Sequence, residues 1–326
     1  MDSYDSETRS DSEKTSSSSS SCVSSYRTIY GMCRSVPEKI IDKSIKARFY
    51  ASYRRQCFSL PDSVMHYIAM KPPSIEVYQK LVQSCKYFFV KNPILVISDL
   101  YYDSKTWAPV NYEKYINLDF VSSKFWVTQS VYFYPVTQNT QDKGVASFIS
   151  KIYQCDATLL YIINRNISYD ELIIFGTNFD SLHLRKGNVT YKDGSNVECD
   201  RIIQILPKII YLEYIPPSVA SAITSKTFKE LLRIPQFLKL KGCAFYKIPE
   251  DFDLDVFYKY MKKNKHTSII LHFCYIISEA YRNRLQAIVT EITESETHEY
   301  KPPYIFFNGL DEKKRSKLWN LYDRHL

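Results

Sequence analysis

Between residues 60 and 89 the apolar positions follow a helical period. Leu60-Pro61 opens a first helix, with proline where its missing N–H costs nothing. Val64 and Ile68 then share one face at a spacing of four. Pro72-Pro73 closes that helix, because proline cannot continue the hydrogen-bond ladder and restricts the residue before it. Ser74 caps a second helix on which Val77, Tyr78, Leu81, Val82, Cys85 and Phe88 or Phe89 form one apolar face. Upstream, the stretch SVPE at 35–38 has the form of a capping box. It opens a basic amphipathic helix in which Ile41, Ile45, Phe49 and Tyr53 recur every four residues. Downstream, Asn92-Pro93 breaks the helical pattern and residues 94–97 form a short strand-like run. Residues 101–124 are irregular, with a further strand at 115–120.

From residue 126 the period switches repeatedly between two and 3.6. The recurring unit is a short strand, a turn and a helix. Its first inward positions are Val131, Leu159, Leu182, Ile210, Leu238, Ile269 and Ile305. The partners two residues on are Phe133, Tyr161, Leu184, Leu212, Leu240, Leu271 and Phe307. Helix-period segments lie between them at 145–153, 169–175, 197–206, 228–234, 254–261 and 280–292, and a last helix covers 311–322. The fold class is therefore α/β, with a parallel sheet. Strand–helix alternation fits either units stacked into a solenoid or a doubly wound sheet. Short strands and the lack of a glycine-rich first turn favour the solenoid.

Composition narrows the chemistry. Seven glycines, no GxxxxGK[ST] and no GxGxxG leave no phosphate-cradling loop. The eight cysteines form no CxxC and the six histidines no metal-ligand spacing, so no catalytic residue, metal or cofactor is expected. A nucleophile built from Cys243 or Cys274 with His272 is outweighed by a structural role for both thiols. Without a signal segment or a long apolar run, the chain reads as cytoplasmic or nuclear, with free thiols and no membrane partner. The net charge of +8 is uneven. Residues 1–25, a serine-rich tail expected to be disordered, hold five acids and two bases, leaving +11 on the remainder. Residues 26–58 hold eight bases and two acids. The outward strand column combines aromatic and basic side chains, a composition suited to binding protein. Its residues include His183, Arg185, Tyr211, Glu213, Lys239, Lys241, His272 and Phe306.

Leu60-Pro61, Ile68, Leu81, Cys85-Lys86 and Phe88 resemble the F-box, a helical module that opens with Leu-Pro and carries leucine, cysteine and aromatic positions at this spacing. Leu238-x-Leu240-x-x-Cys243, Ile269-x-Leu271-x-x-Cys274 and Leu159-x-Tyr161-x-x-Asn164 resemble leucine-rich repeats, whose Asn or Cys turns inward at the bend after the strand. The layout implied is a tail (1–25), a basic helix (26–58), an F-box-like unit (59–92), a connecting segment (93–125) and a leucine-rich-repeat-like domain (126–326). The resemblance implies the substrate receptor of an SCF-type cullin–RING ubiquitin ligase, itself non-catalytic. Leu60, Pro61, Val64, Ile68, Leu81, Cys85 and Phe88 would then meet a Skp-type adaptor bound to the cullin scaffold. The outward column would meet a target protein. A repeat scaffold without a ligase, and a nucleic-acid binder using the basic aromatic surface, are the alternatives.

Overall fold

A computed structural model of the chain describes residues 43–102, 107–109, 121–134, 146–176, 178–219 and 222–325. The serine-rich tail, the capping box at 35–38 and the strand expected at 115–120 lie outside the described residues. The chain opens with helices α1 (Lys43–Ala51), α2 (Asp62–Met70), α3 (Ile75–Ser84) and α4 (Lys86–Lys91). The strands and helices then alternate: β1 (Ile94–Tyr102), β2 (Trp107–Pro109), β3 (Lys124–Phe133), α5 (Ala146–Ile149), β4 (Ile152–Cys155), β5 (Leu159–Ile163), β6 (Ile167–Ser168), α6 (Tyr169–Gly176), β7 (Ser181–Arg185), β8 (Val189–Thr190), α7 (Cys199–Gln204) and β9 (Tyr211–Ile215). They continue as α8 (Ser225–Leu231), α9 (Pro235–Leu238), β10 (Gly242–Ile248), α10 (Leu254–Met261), β11 (Ser268–Phe273), α11 (Glu279–Glu294), β12 (Tyr304–Phe306) and α12 (Glu312–Asp323).

The fold is mixed α/β around a mostly parallel sheet. Strands β1, β3, β5, β7, β9, β10, β11 and β12 lie side by side in chain order, every pair parallel. β2 joins β1 antiparallel, β4 pairs with β3, and β6 with β8 forms a separate parallel pair. A doubly wound sheet reverses its strand order at a switch point. Here the eight parallel strands keep one direction across the sheet, each new one added beside the last, and only the antiparallel β2 lies on the other side of β1.

Two inward rows run through the sheet in register. One is Leu100, Val131, Leu160, Leu182, Leu212, Cys243 and Ile269. The other is Tyr102, Phe133, Ile162, Leu184, Tyr214, Phe245, Leu271 and Ile305. All are buried, in one cluster with Leu172, Phe228, Phe257, Leu285 and other residues of the helices packed on that face. Each such side chain contributes roughly 1.5–3 kcal/mol of burial.

The expected strand phase holds at Val131/Phe133, Leu182/Leu184, Leu212 and Ile269/Leu271 and fails at two places. In β5 the inward pair is Leu160 and Ile162, so Leu159 and Tyr161 face outward. LLYII is apolar throughout, and only the pairing of Leu160 with Val131 and Leu182 fixes its phase. Leu238 ends α9, a short helix started by Pro235 at its first turn, and the strand begins at Gly242. Cys243 is accordingly an inward strand residue, not a turn residue. The helix expected at 145–153 is α5 followed by β4. The helix expected to run through Phe89 breaks at Cys85, whose backbone is extended (φ −157°, ψ 134°) and whose sulfur accepts from the Tyr87 N–H.

The bend after the inward rows is itself repeated. Asn164, Lys186 and Lys247 each lie two residues beyond the second row and take left-handed φ values of 49°, 55° and 53°. That conformation costs about 1–2 kcal/mol at a non-glycine residue. Gly187 follows one of these bends because a Cβ there would stand 1.9 Å from the Arg165 carbonyl oxygen of the neighbouring unit. Cys274, just past β11, directs its thiol to the Lys247 carbonyl of the preceding unit at 3.2 Å. Asn164, expected to turn inward, is exposed.

Helices also cover the two ends of the outer face. At one end, α3 lays Tyr78 and Val82 on Trp126, Ile94 and Val96. The Tyr78 hydroxyl accepts from the Ile94 N–H and donates to the Asn92 carbonyl, both at 3.0 Å. At the other end, α12 crosses β12, with Trp319 5.0 Å from the Tyr304 ring and Lys314 bound to Thr290 of α11 at 2.7 Å.

Candidate functional site

Two surfaces stand out, one on the helical unit and one on the outer face of the sheet. Helices α2 to α4 hold together through Met65, Ala69 and Phe88, with Phe58, Ile68, Leu81, Val82, Cys85 and Tyr87 packed around them. Leu60 (48% exposed), Val64, Tyr67 (63%) and Met70 are left on the surface. Val64, Tyr67 and Met70, three residues apart along α2, form one stripe opposite the buried Met65 and Ala69, and Leu60 stands just ahead of the helix. Val77 of α3 is exposed as well. Pro61 is exposed, and Ile68, Leu81 and Cys85 are half-buried. Phe88, expected to meet a partner, is instead enclosed by its own unit (5% exposed), because the break at Cys85 folds α4 under α2. Tyr67 and Met70 were not among the expected residues, although Tyr67 is three positions after Val64.

The open part of the outer face begins with an aromatic ladder. Tyr101 stacks on Tyr134 (4.4 Å between centroids), Tyr132 on Tyr161 (5.3 Å) and Tyr161 on His183 (4.1 Å, 8° between planes). Registered parallel strands place Tyr132, Tyr161 and His183 about 4.8 Å apart, a spacing that suits stacked rings. Tyr161 belongs to this ladder because of the strand phase that the sequence left ambiguous. Burial pushes its hydroxyl up to about 12, with the Glu213 charge and Tyr132 adding to the effect.

The ladder ends in a charged cluster. The Glu213 carboxylate is 2.6 Å from His183 Nδ1 and takes hydrogen bonds from Arg185 Nε (2.8 Å) and Nη2 (2.6 Å). Burial alone would raise this carboxyl, but the two partners outweigh it and hold it below the usual range. The expected residues His183, Arg185 and Glu213 are thus brought together as neighbours.

Beyond the cluster the surface drops into a hollow of about 380 Å³. Its floor lies at Gly242 and Ala244, where the outward column carries almost no side chain. Tyr211, His183, Glu213, Tyr246, Ile270 and, from α12, Tyr322 form its walls. Lys241, His266 and Lys301 line it with basic groups, and Lys301 Nζ donates to Ser268 Oγ at 3.1 Å. Tyr211 stands against Gly242 so closely that an added Cβ would lie 3.1 Å from its ring. Tyr211 and Lys241 are where the sequence reading expected a binding surface. Lys239 is not on a strand at all, since it caps α9. Tyr246, His266 and Lys301 were missed; their signal, two small residues at alternate positions of one strand, depends on locating β10 correctly.

His272 and Phe306 form a third group beside α12. His272 lies 4.7 Å from Tyr246 and 4.9 Å from Phe306 between ring centroids, and the Arg315 guanidinium covers Phe306 at 5.3 Å. Burial, reinforced by Arg315, lowers His272 to about 4, so it is neutral near pH 7.

The thiol–imidazole pairing considered from sequence is not assembled. Cys243 faces inward with its thiol pushed up to about 12 by burial, whereas His272 faces outward. Cys274 is engaged by the Lys247 carbonyl. Among the described residues no group of three His, Cys, Asp or Glu side chains could hold a metal ion, and no helix is long and apolar enough to cross a membrane. No family model, curated protein or solved structure matches the chain.

Proposed function

We propose that this chain is the substrate-recognition subunit of an SCF-type cullin–RING ubiquitin ligase, working in the cytoplasm or nucleus. The F-box-like unit docks its α2 stripe on a Skp-type adaptor, and the outer face of a leucine-rich-repeat-like sheet holds the target. The subunit does no chemistry; it raises the effective concentration of target lysines near the ubiquitin-charged enzyme. The observation that carries this reading is the stripe itself. Val64, Tyr67 and Met70 are left exposed on a helix whose other side is anchored by Met65 and Ala69, with Leu60 exposed just before it, and a row of large apolar groups in water is the mark of an interface. The chain-order sheet and the Cys274 thiol on the neighbouring unit's carbonyl support the repeat resemblance.

The test is capture of a purified Skp-type adaptor by the intact chain, beside a Leu60→Ser/Val64→Ser/Tyr67→Ser variant. Capture by the parent and its loss in the variant is the expected result. Failure of the parent to take the adaptor leaves the scaffold role without a ligase.

A further inference from the structure

The hollow beside the aromatic ladder identifies what kind of target segment the outer face takes, an inference that rests on the reading of that face as the target surface. We infer that it receives an acidic peptide segment, one apolar side chain entering over Ala244 beside the Tyr211 ring that covers Gly242, while flanking anionic groups meet Lys241, Lys301 and His266. Shape and charge argue this separately. The floor is low because two successive outward positions of β10 are glycine and alanine, between strands whose outward residues include Tyr211, Glu213 and Ile270. Its volume of about 380 Å³ falls within the roughly 300–1,000 Å³ of small-ligand sites, and its walls are largely ring and aliphatic surface. Glu213 is the only acid in the lining, and its charge is matched by Arg185 at 2.6–2.8 Å, with His183 Nδ1 beside it at 2.6 Å. The charge left facing a visitor is therefore that of the lysines, which selects an anionic partner and disfavours a basic one. The aromatic ladder continues from the hollow, a flat surface along which an extended peptide can run.

The anionic groups can be carboxylates or phosphates, and the probes separate them. Fluorescence anisotropy of the full-length chain would use four labelled 12-residue peptides: a central phenylalanine among glutamates, the same with phosphoserines, the same with lysines, and residues 1–25 of this chain cut to its acidic part. A 12-nucleotide oligouridine serves as the nucleic-acid probe. The expected result is binding of the glutamate or phosphoserine peptide, whichever is tighter naming the source, with affinity falling as salt rises. Lys241→Glu/Lys301→Glu should weaken that binding by roughly tenfold or more. Ala244→Leu, which fills the floor and leaves every charge, should weaken it comparably. Lys226→Glu, on α8 behind the sheet, should leave it unchanged. Unfolding midpoints equal to the parent's show that the variants fold.

Equal binding of the lysine peptide, tighter binding of oligouridine or of the chain's own tail, or indifference to both hollow variants would overturn the inference. So would failure of both anionic peptides to bind. Adaptor capture measured on the same preparation keeps the two readings apart. Lost peptide binding with capture intact removes only the hollow, and lost capture with peptide binding intact removes only the ligase role.

Discussion

The helical unit and the sheet use apolar residues in opposite ways. In the sheet, both inward rows are buried from β1 to β11, and the apolar side chains of the following helices close over them. In the helical unit Met65, Ala69 and Phe88 form the buried centre and Tyr78 is buried against the sheet, while Leu60, Val64, Tyr67, Met70 and Val77 remain on the surface. The inner face of the sheet has committed its hydrophobic rows to folding, and the helical unit has kept a share of its own for a partner. A residue of the same type should therefore matter for stability in one region and for association in the other.

The largest expected effect is in the sheet. Phe245→Ala empties a site in the second inward row, between Tyr214 and Leu271, and should cost about 3–5 kcal/mol, read as a shift in the urea midpoint. A loss below about 1 kcal/mol would show that the rows are less tightly packed than their burial implies. An intermediate effect comes from His272 on the outer face. Its folded value of about 4 lies below its ordinary 6.5, so the unfolded chain binds more protons between those limits. The associated stability is complete above pH 6.5, falls as pH drops through this window, and is lost below about 4. Allowing for its partial exposure, the change is about 2 kcal/mol, and His272→Phe should flatten that part of the pH–stability curve. The smallest effect is on the helical unit. Leu60→Ser, Val64→Ser and Tyr67→Ser should each change stability by no more than about 0.5 kcal/mol while abolishing adaptor capture. A loss of several kcal/mol on any of them would place the stripe in the fold and erase the contrast.

Much of this was readable from residue types in order. The helix end at Pro72-Pro73, the cap at Ser74, and the helices over 254–261 and 280–292 match the structure, because these signals act within a turn or two of themselves. The phase of β5 and the position of β10 did not. LLYII carries no polar marker to orient it, and Leu238-x-Leu240 has a strand's spacing inside a segment that Pro235 turns into a helix. Those two slips carried into the site. They placed Tyr161 in the core, Lys239 on the binding column and the Gly242–Ala244 floor nowhere.

The sequence by itself determined the alternation of strand and helix, the short-range caps and breaks, and the absence of glycine-rich phosphate loops, since each depends on neighbours a few residues away. Tertiary structure decided the strand order, the inward phase of the ambiguous strand, the enclosure of Phe88 and the meeting of Lys241 with Lys301 around one hollow. These depend on which surfaces compete for burial and on register between strands some 30 residues apart, which no local pattern specifies.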